Sequence, residues 1–162
     1  MFDMAVAAAL GPTKEGRFLL PGVDRRPADD FVPNWAGGRD AALDVTVVNP
    51  LQAATVSRAA TSSGHDLNYA VERKMRGAAE ACQRQGIAFF PLAAESLGWW
   101  HSIAEAQVKK LASAMARNTR QEELEAETHT WGRLGLLLQR GNAAILNNRV
   151  PSFPSPQVNG HW

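Results

Sequence analysis

The sequence predicts an α/β sandwich, a small mixed sheet flanked by helices, from an element order of helix, three strands, helix, strand and two further helices. Three observations carry this. The turn-forming run Ala36-Gly37-Gly38-Arg39-Asp40 separates two extended stretches, Asp30 to Trp35 and Ala42 to Val48, so they pair antiparallel. A helical pattern from Asp66 to about Gln85 places Val71, Met75, Ala78 and Cys82 on one face, with Gly86 as its stop. Beyond it, the short apolar run Ile87 to Leu92 reads as a buried strand.

Taken in order, Met1 to Leu10 is Ala-rich and ends at Gly11-Pro12, which predicts a short packed helix. Arg17 to Pro21 reads as a short strand before a turn at Gly22. Asp30 to Trp35 is the second strand, and Pro33 points to an edge position or an early end. Ala42 to Val48 is the most β-branched stretch and ends at Asn49-Pro50, and Ser57 to Gly64 reads as irregular. Asp66 is expected to cap the helix that follows. Two more helices are expected, about Trp99 to Arg117 and Thr119 to Asn147, the second carrying Leu134, Leu137, Leu138, Ile145 and Leu146. Residues 1–149 thus form one domain with Leu43, Val45, Val47 and Phe89 in its core, and the Pro- and Ser-containing stretch 150–162 is a disordered tail.

Composition narrows the function. Apolar residues make up 45% and charged residues 20% of the 162, as in a globular domain, and no run is apolar enough for a membrane span. Met1 to Leu10 lacks a basic flank and a cleavage site, so the chain is expected to stay inside the cell. A single cysteine, Cys82, excludes an internal disulfide, and the four histidines show no metal-ligand spacing. The net charge of +1 means that contact with nucleic acid would rest on local clusters: Arg25 and Arg26 with Arg39, Arg73 with Arg76, Lys109-Lys110, and Arg117 with Arg120. Singly, each is also explained as solvated surface.

The acidic residues point to metal-assisted phosphodiester hydrolysis, which needs carboxylates to hold Mg²⁺ or Mn²⁺. Asp29 or Asp30 starts the second strand, one residue apart and therefore on opposite faces. Asp44 lies between Leu43 and Val45 in the most β-branched strand, its pleat shared with Thr46. Its alternative is a solvated Asp on an edge strand. Lys74 stands on the following helix between the small Ala70 and Ala78, free to lie over the sheet or to be an ordinary exposed lysine. Glu95 follows the last apolar run and either joins the acidic site or caps the next helix.

These residues fall in a longer pattern. Leu20-Pro21-Gly22, Arg26-Pro27-Ala28-Asp29, Phe31 to Trp35, Ala41 to Val47, Glu72-Arg73-Lys74 and Phe90 to Gly98 resemble the C-terminal endonuclease region of non-LTR retrotransposon polyproteins, a restriction-endonuclease-like domain of the PD-(D/E)xK type. The resemblance covers about Ala5 to Arg149 and implies an α-β-β-β-α-β core with added C-terminal helices. It implies a nuclease that nicks target DNA, ancestrally beside a reverse transcriptase in one polyprotein, and so acts in the nucleus. Carried over residue by residue, Asp29 and Asp44 are the acidic pair, Thr46 stands where the usual triplet has lysine, and Lys74 supplies that lysine from the helix. The polymerase and the Cys/His knuckle of those polyproteins are not in this sequence, which fits a truncated element copy or a gene prediction covering its last exon; the alternative function is a DNA-binding or structural remnant that keeps the fold and cuts nothing.

Overall fold

The computed structural model describes residues 1–14, 28–53 and 55–149. The strand expected at Arg17 to Pro21, the basic pair Arg25-Arg26 and the tail 150–162 lie outside them. The chain is mixed α/β. A first helix α1 (Phe2–Ala7) leads to β1 (Thr13–Lys14), β2 (Asp30–Ala36) and β3 (Arg39–Val48). After a short helix α2 (Val56–Ala59) come α3 (His65–Lys74), a widened π-turn (Met75–Ala79) and α4 (Glu80–Arg84), which follow one another without a break. Strand β4 (Ala88–Glu95) and helices α5 (Ser102–Thr119) and α6 (Glu123–Arg149) complete the order.

The strands form one sheet in the order β1-β2-β3-β4. β2 and β3 are an antiparallel hairpin. Gly37 and Gly38 turn it at φ +60° and +79°, a twist that side chains resist and glycine adopts freely. The register shifts between Val32 and Ala36, around Pro33 and the left-handed Asn34. β1 reaches only as far as Phe31, so at Pro33 β2 is paired with β3 alone among the described residues, and the proline falls in the irregularity. β4 runs parallel to β3 because α3 to α4 carry the chain back across the sheet.

Alternation along β3 divides the core. Leu43 and Ala41, with Val32 and Leu92, pack under α1 and α5, and α6 adds Leu134. Ala42 and Phe89 face Cys82 of α4, and Ala93 meets Leu67, Ala70 and Val71 of α3. Helices therefore cover both faces. Leu43 and Phe89 are buried as expected and Val45 packs half-buried against the first cluster, but Val47 is 54% exposed, lining an open groove between the end of β3 and Asn142, Ile145 and Leu146 of α6. On the helix face read from the sequence, Val71 and Cys82 are buried, while Met75 is exposed where the π-turn widens the spacing. Gly86 ends α4 at φ +72°, with Ile87 N–H donating to the Cys82 carbonyl, as its position predicted. The segment expected to be irregular holds α2, and the cap of α3 is Gly64; Asp66 lies inside its first turn. No helix among the described residues is long and apolar enough to cross a membrane.

Candidate active site

Asp44 sits in the third of four strands, flanked by β2 and β4, and is 8% exposed, so it is not a solvated edge residue. Its pleat turns it with Ala42 and Thr46 toward the α3 face, where small Ala70 and half-buried Ala78 leave room beside the sheet. Lys74, the last residue of α3, fills that room. Its Nζ lies 2.7 Å from Asp44 Oδ2, with side-chain exposures of 32% for the lysine and 11% for the aspartate. The ammonium thus occupies Oδ2, an oxygen that is itself buried.

The hairpin decides between the two neighbouring aspartates. Asp30 pairs with Leu43, so one further step along the antiparallel register brings Asp29 level with Asp44. Val45 N–H donates to Asp29 Oδ2 at 2.8 Å, which fixes that carboxylate beside the Asp44 backbone. Asp30 turns instead to the opposite face, where burial raises its pKa, the N-terminal ammonium and Lys14 lower it, and the charges of Asp29 and Asp3 add to the rise. The two carboxyls thus serve different surroundings.

Burial raises the Asp44 pKa above the ordinary carboxylate value; Lys74 pulls it down by hydrogen bonding and charge, and Asp29 pushes it up again. The net direction is upward, because burial outweighs what Lys74 contributes.

Glu95 is elsewhere. It shares the sheet face of Asp44 but pairs with Val48, four residues farther along the strands, about 13 Å at the rise of a β-strand. Nor does it cap α5, whose N-cap is His101: Ile103 N–H donates to His101 Nδ1 at 3.1 Å. Glu95 is buried against Asp66 of α3, and burial followed by the charge and hydrogen bonding of Asp66 raises its pKa. Asp66 is a feature that sequence reasoning took only for a cap; an Asp after Gly64 gives no local sign that a strand end will bring a second carboxyl to it.

Among the basic residues, Arg73 and Arg76 are exposed on the helical segment that carries Lys74, and Arg76 Nε donates to the Glu72 carbonyl at 3.4 Å. Arg39 is exposed at the hairpin, five residues from Asp44 and about 17 Å away along β3.

No protein family, curated protein or solved structure matches this chain. Among the described residues no group of three or more His, Cys, Asp or Glu side chains could hold a metal ion. Two carboxylates are nevertheless a fitting donor set for Mg²⁺, which keeps several waters and takes its remaining oxygens from a substrate phosphate. Lys74 occupies Asp44 Oδ2, so an ion taking this oxygen would require the ammonium to turn aside.

Proposed function

We propose that this chain is a metal-dependent DNA endonuclease domain with a restriction-endonuclease-like core, derived from a non-LTR retrotransposon, which nicks phosphodiester bonds. The observation that carries the reading is the meeting of Asp29, Asp44 and Lys74 on one sheet face from three separate elements. Asp29 and Asp44 would hold the ion, which when bound activates water and offsets charge on the scissile phosphate. The Val45 N–H fixes one oxygen of Asp29 and leaves the other for a ligand. Lys74 reaches the site from a helix end and keeps a third of its side chain in solvent, so its ammonium can turn from Asp44 toward a phosphate oxygen and oppose the charge that grows during cleavage. Arg73 and Arg76 would meet the DNA backbone beside it, and nuclear DNA is the substrate this reading implies.

A second reading, a remnant that binds DNA without cutting it, draws on the same contacts, because Lys74 and the Val45 N–H already engage the two carboxylates. Conversion of supercoiled plasmid to the nicked form separates the two. The nuclease reading expects nicking with Mg²⁺ or Mn²⁺ that stops in chelator and in Asp29→Ala; retarded but uncut plasmid in both metals selects the remnant.

A further inference from the structure

A second acidic site lies at the other end of the same sheet face. The carboxyl ends of β3 and β4, the α2 segment and the first turn of α3 enclose a cleft of about 380 Å³. Asp66 and Glu95 line it together with Leu51, Val56, Leu67 and Leu97. Asp66 is 1% exposed, and its Oδ2 has no hydrogen-bond partner among the described residues. No lysine or arginine among those residues pairs with either carboxyl.

Asp66 and Glu95 are buried against each other with no lysine or arginine among the described residues beside them, and two carboxyls held so close without a cation are costly to bury. The cleft also stands where open sheets with parallel strands commonly bind ligands, outside the strands' carboxyl ends. We propose that this cleft binds a monovalent organic cation, an alkylguanidinium or alkylammonium group, whose charge sits between Asp66 and Glu95 and whose alkyl stem lies along Leu51, Val56 and Leu97. The mostly apolar lining beyond the two carboxyls suits an alkyl stem better than the water shell that Mg²⁺ keeps. Trp99, on the rim and largely exposed, offers a ring face to the incoming cation.

The site is independent of the nuclease reading, and its test does not use cleavage. n-Butylguanidinium chloride is titrated into the ¹⁵N-labelled protein while the amide signals of residues 63–67 and 95–99 are followed. Saturable shifts with a Kd of about 1 mM or tighter are expected for a ligand of this size. Neutral n-butylurea, the same shape without the charge, should bind at least about 10-fold more weakly, as should butylguanidinium to Asp66→Asn with Glu95→Gln, a double variant that keeps the side-chain volumes. N-acetyl-arginine amide binding more tightly than butylguanidinium assigns the cation to a protein side chain; the reverse assigns it to a small molecule, and either supports the site. Equal binding of butylurea, larger shifts from Mg²⁺ at the same amides, or no saturable shift with any probe overturns it, the last leaving a purely structural carboxyl pair. A double variant that fails to fold is replaced by Glu95→Gln alone, which should still weaken butylguanidinium more than butylurea.

Discussion

Replacing Lys74 by alanine removes an ammonium 2.7 Å from Asp44 Oδ2 and leaves a carboxylate whose side chain is 11% exposed. Two effects follow, on different scales. For stability, the pair lies between an exposed ion pair, worth about 0–1 kcal/mol, and a buried pair whose breaking costs about 3–5 kcal/mol. Because one partner is a third exposed and Asp44 can take up a proton, about 1–2 kcal/mol is expected near neutral pH. The sign against pH is fixed. Losing Lys74 raises the already raised pKa of Asp44, so the variant keeps its stability below the unfolded carboxylate pKa and loses it as pH rises through the folded one. The gap to wild type therefore opens with increasing pH. For cleavage, an ammonium aimed at charge that grows in the transition state is worth about 100-fold to 1000-fold in rate, whereas one phosphate contact among several changes DNA affinity modestly. The assay is single-turnover nicking of supercoiled plasmid with Mg²⁺ at saturating protein, with affinity from fluorescence anisotropy at the same salt. Thr46→Lys in the Lys74→Ala background should restore part of the rate, since Thr46 shares the Asp44 face two residues along β3. Wild-type rate in Lys74→Ala, or a rate loss no larger than the affinity loss, would refute the role given to this lysine, and greater damage from Arg76→Ala would move it to Arg76.

Other outcomes follow from the same structure. Asp44→Asn should abolish nicking yet be as stable as wild type or more so at neutral pH, because burial raises the carboxyl's pKa; its advantage in urea denaturation should vanish as pH falls toward the unfolded carboxylate pKa. His101 accepts from Ile103 N–H through Nδ1 while Nε2 contacts Asn68 Oδ1 at 3.1 Å, and burial lowers its pKa. That cap should hold above the unfolded histidine pKa and be lost as pH falls through the folded one, and His101→Ala should cost about 1 kcal/mol at pH 8 in the same denaturation assay. Gly86→Ala places a side chain at φ +72°, and thermal unfolding should show a loss of about 1 kcal/mol.

The local features were readable because short-range chemistry sets them. Gly37-Gly38 can turn a hairpin with positive φ at both positions, Gly86 can end a helix in the left-handed region, and the helix between β3 and β4 makes those strands parallel. The placement of Lys74 was readable in part, since small neighbours at helical spacing left it a path over the sheet. What the sequence did not reveal depends on distant partners. Whether Asp29 or Asp30 faces Asp44 is fixed by the register with Leu43, and the meeting of Glu95 with Asp66 joins a strand end to a helix start that no local pattern links. The π-turn after Lys74 has no composition of its own, and Met75, correctly periodic for an α-helix, is exposed because of it.

The central claim is that Asp29 and Asp44 serve one divalent ion in cutting DNA. It is tested most directly by the rate of plasmid nicking against Mg²⁺ concentration for wild type and Asp44→Asn, both folded and held at equal DNA occupancy. The account predicts a saturable, chelator-sensitive rate for wild type and none for Asp44→Asn at any Mg²⁺ concentration. Nicking that persists in Asp44→Asn, or a wild-type rate that does not respond to Mg²⁺, would contradict it.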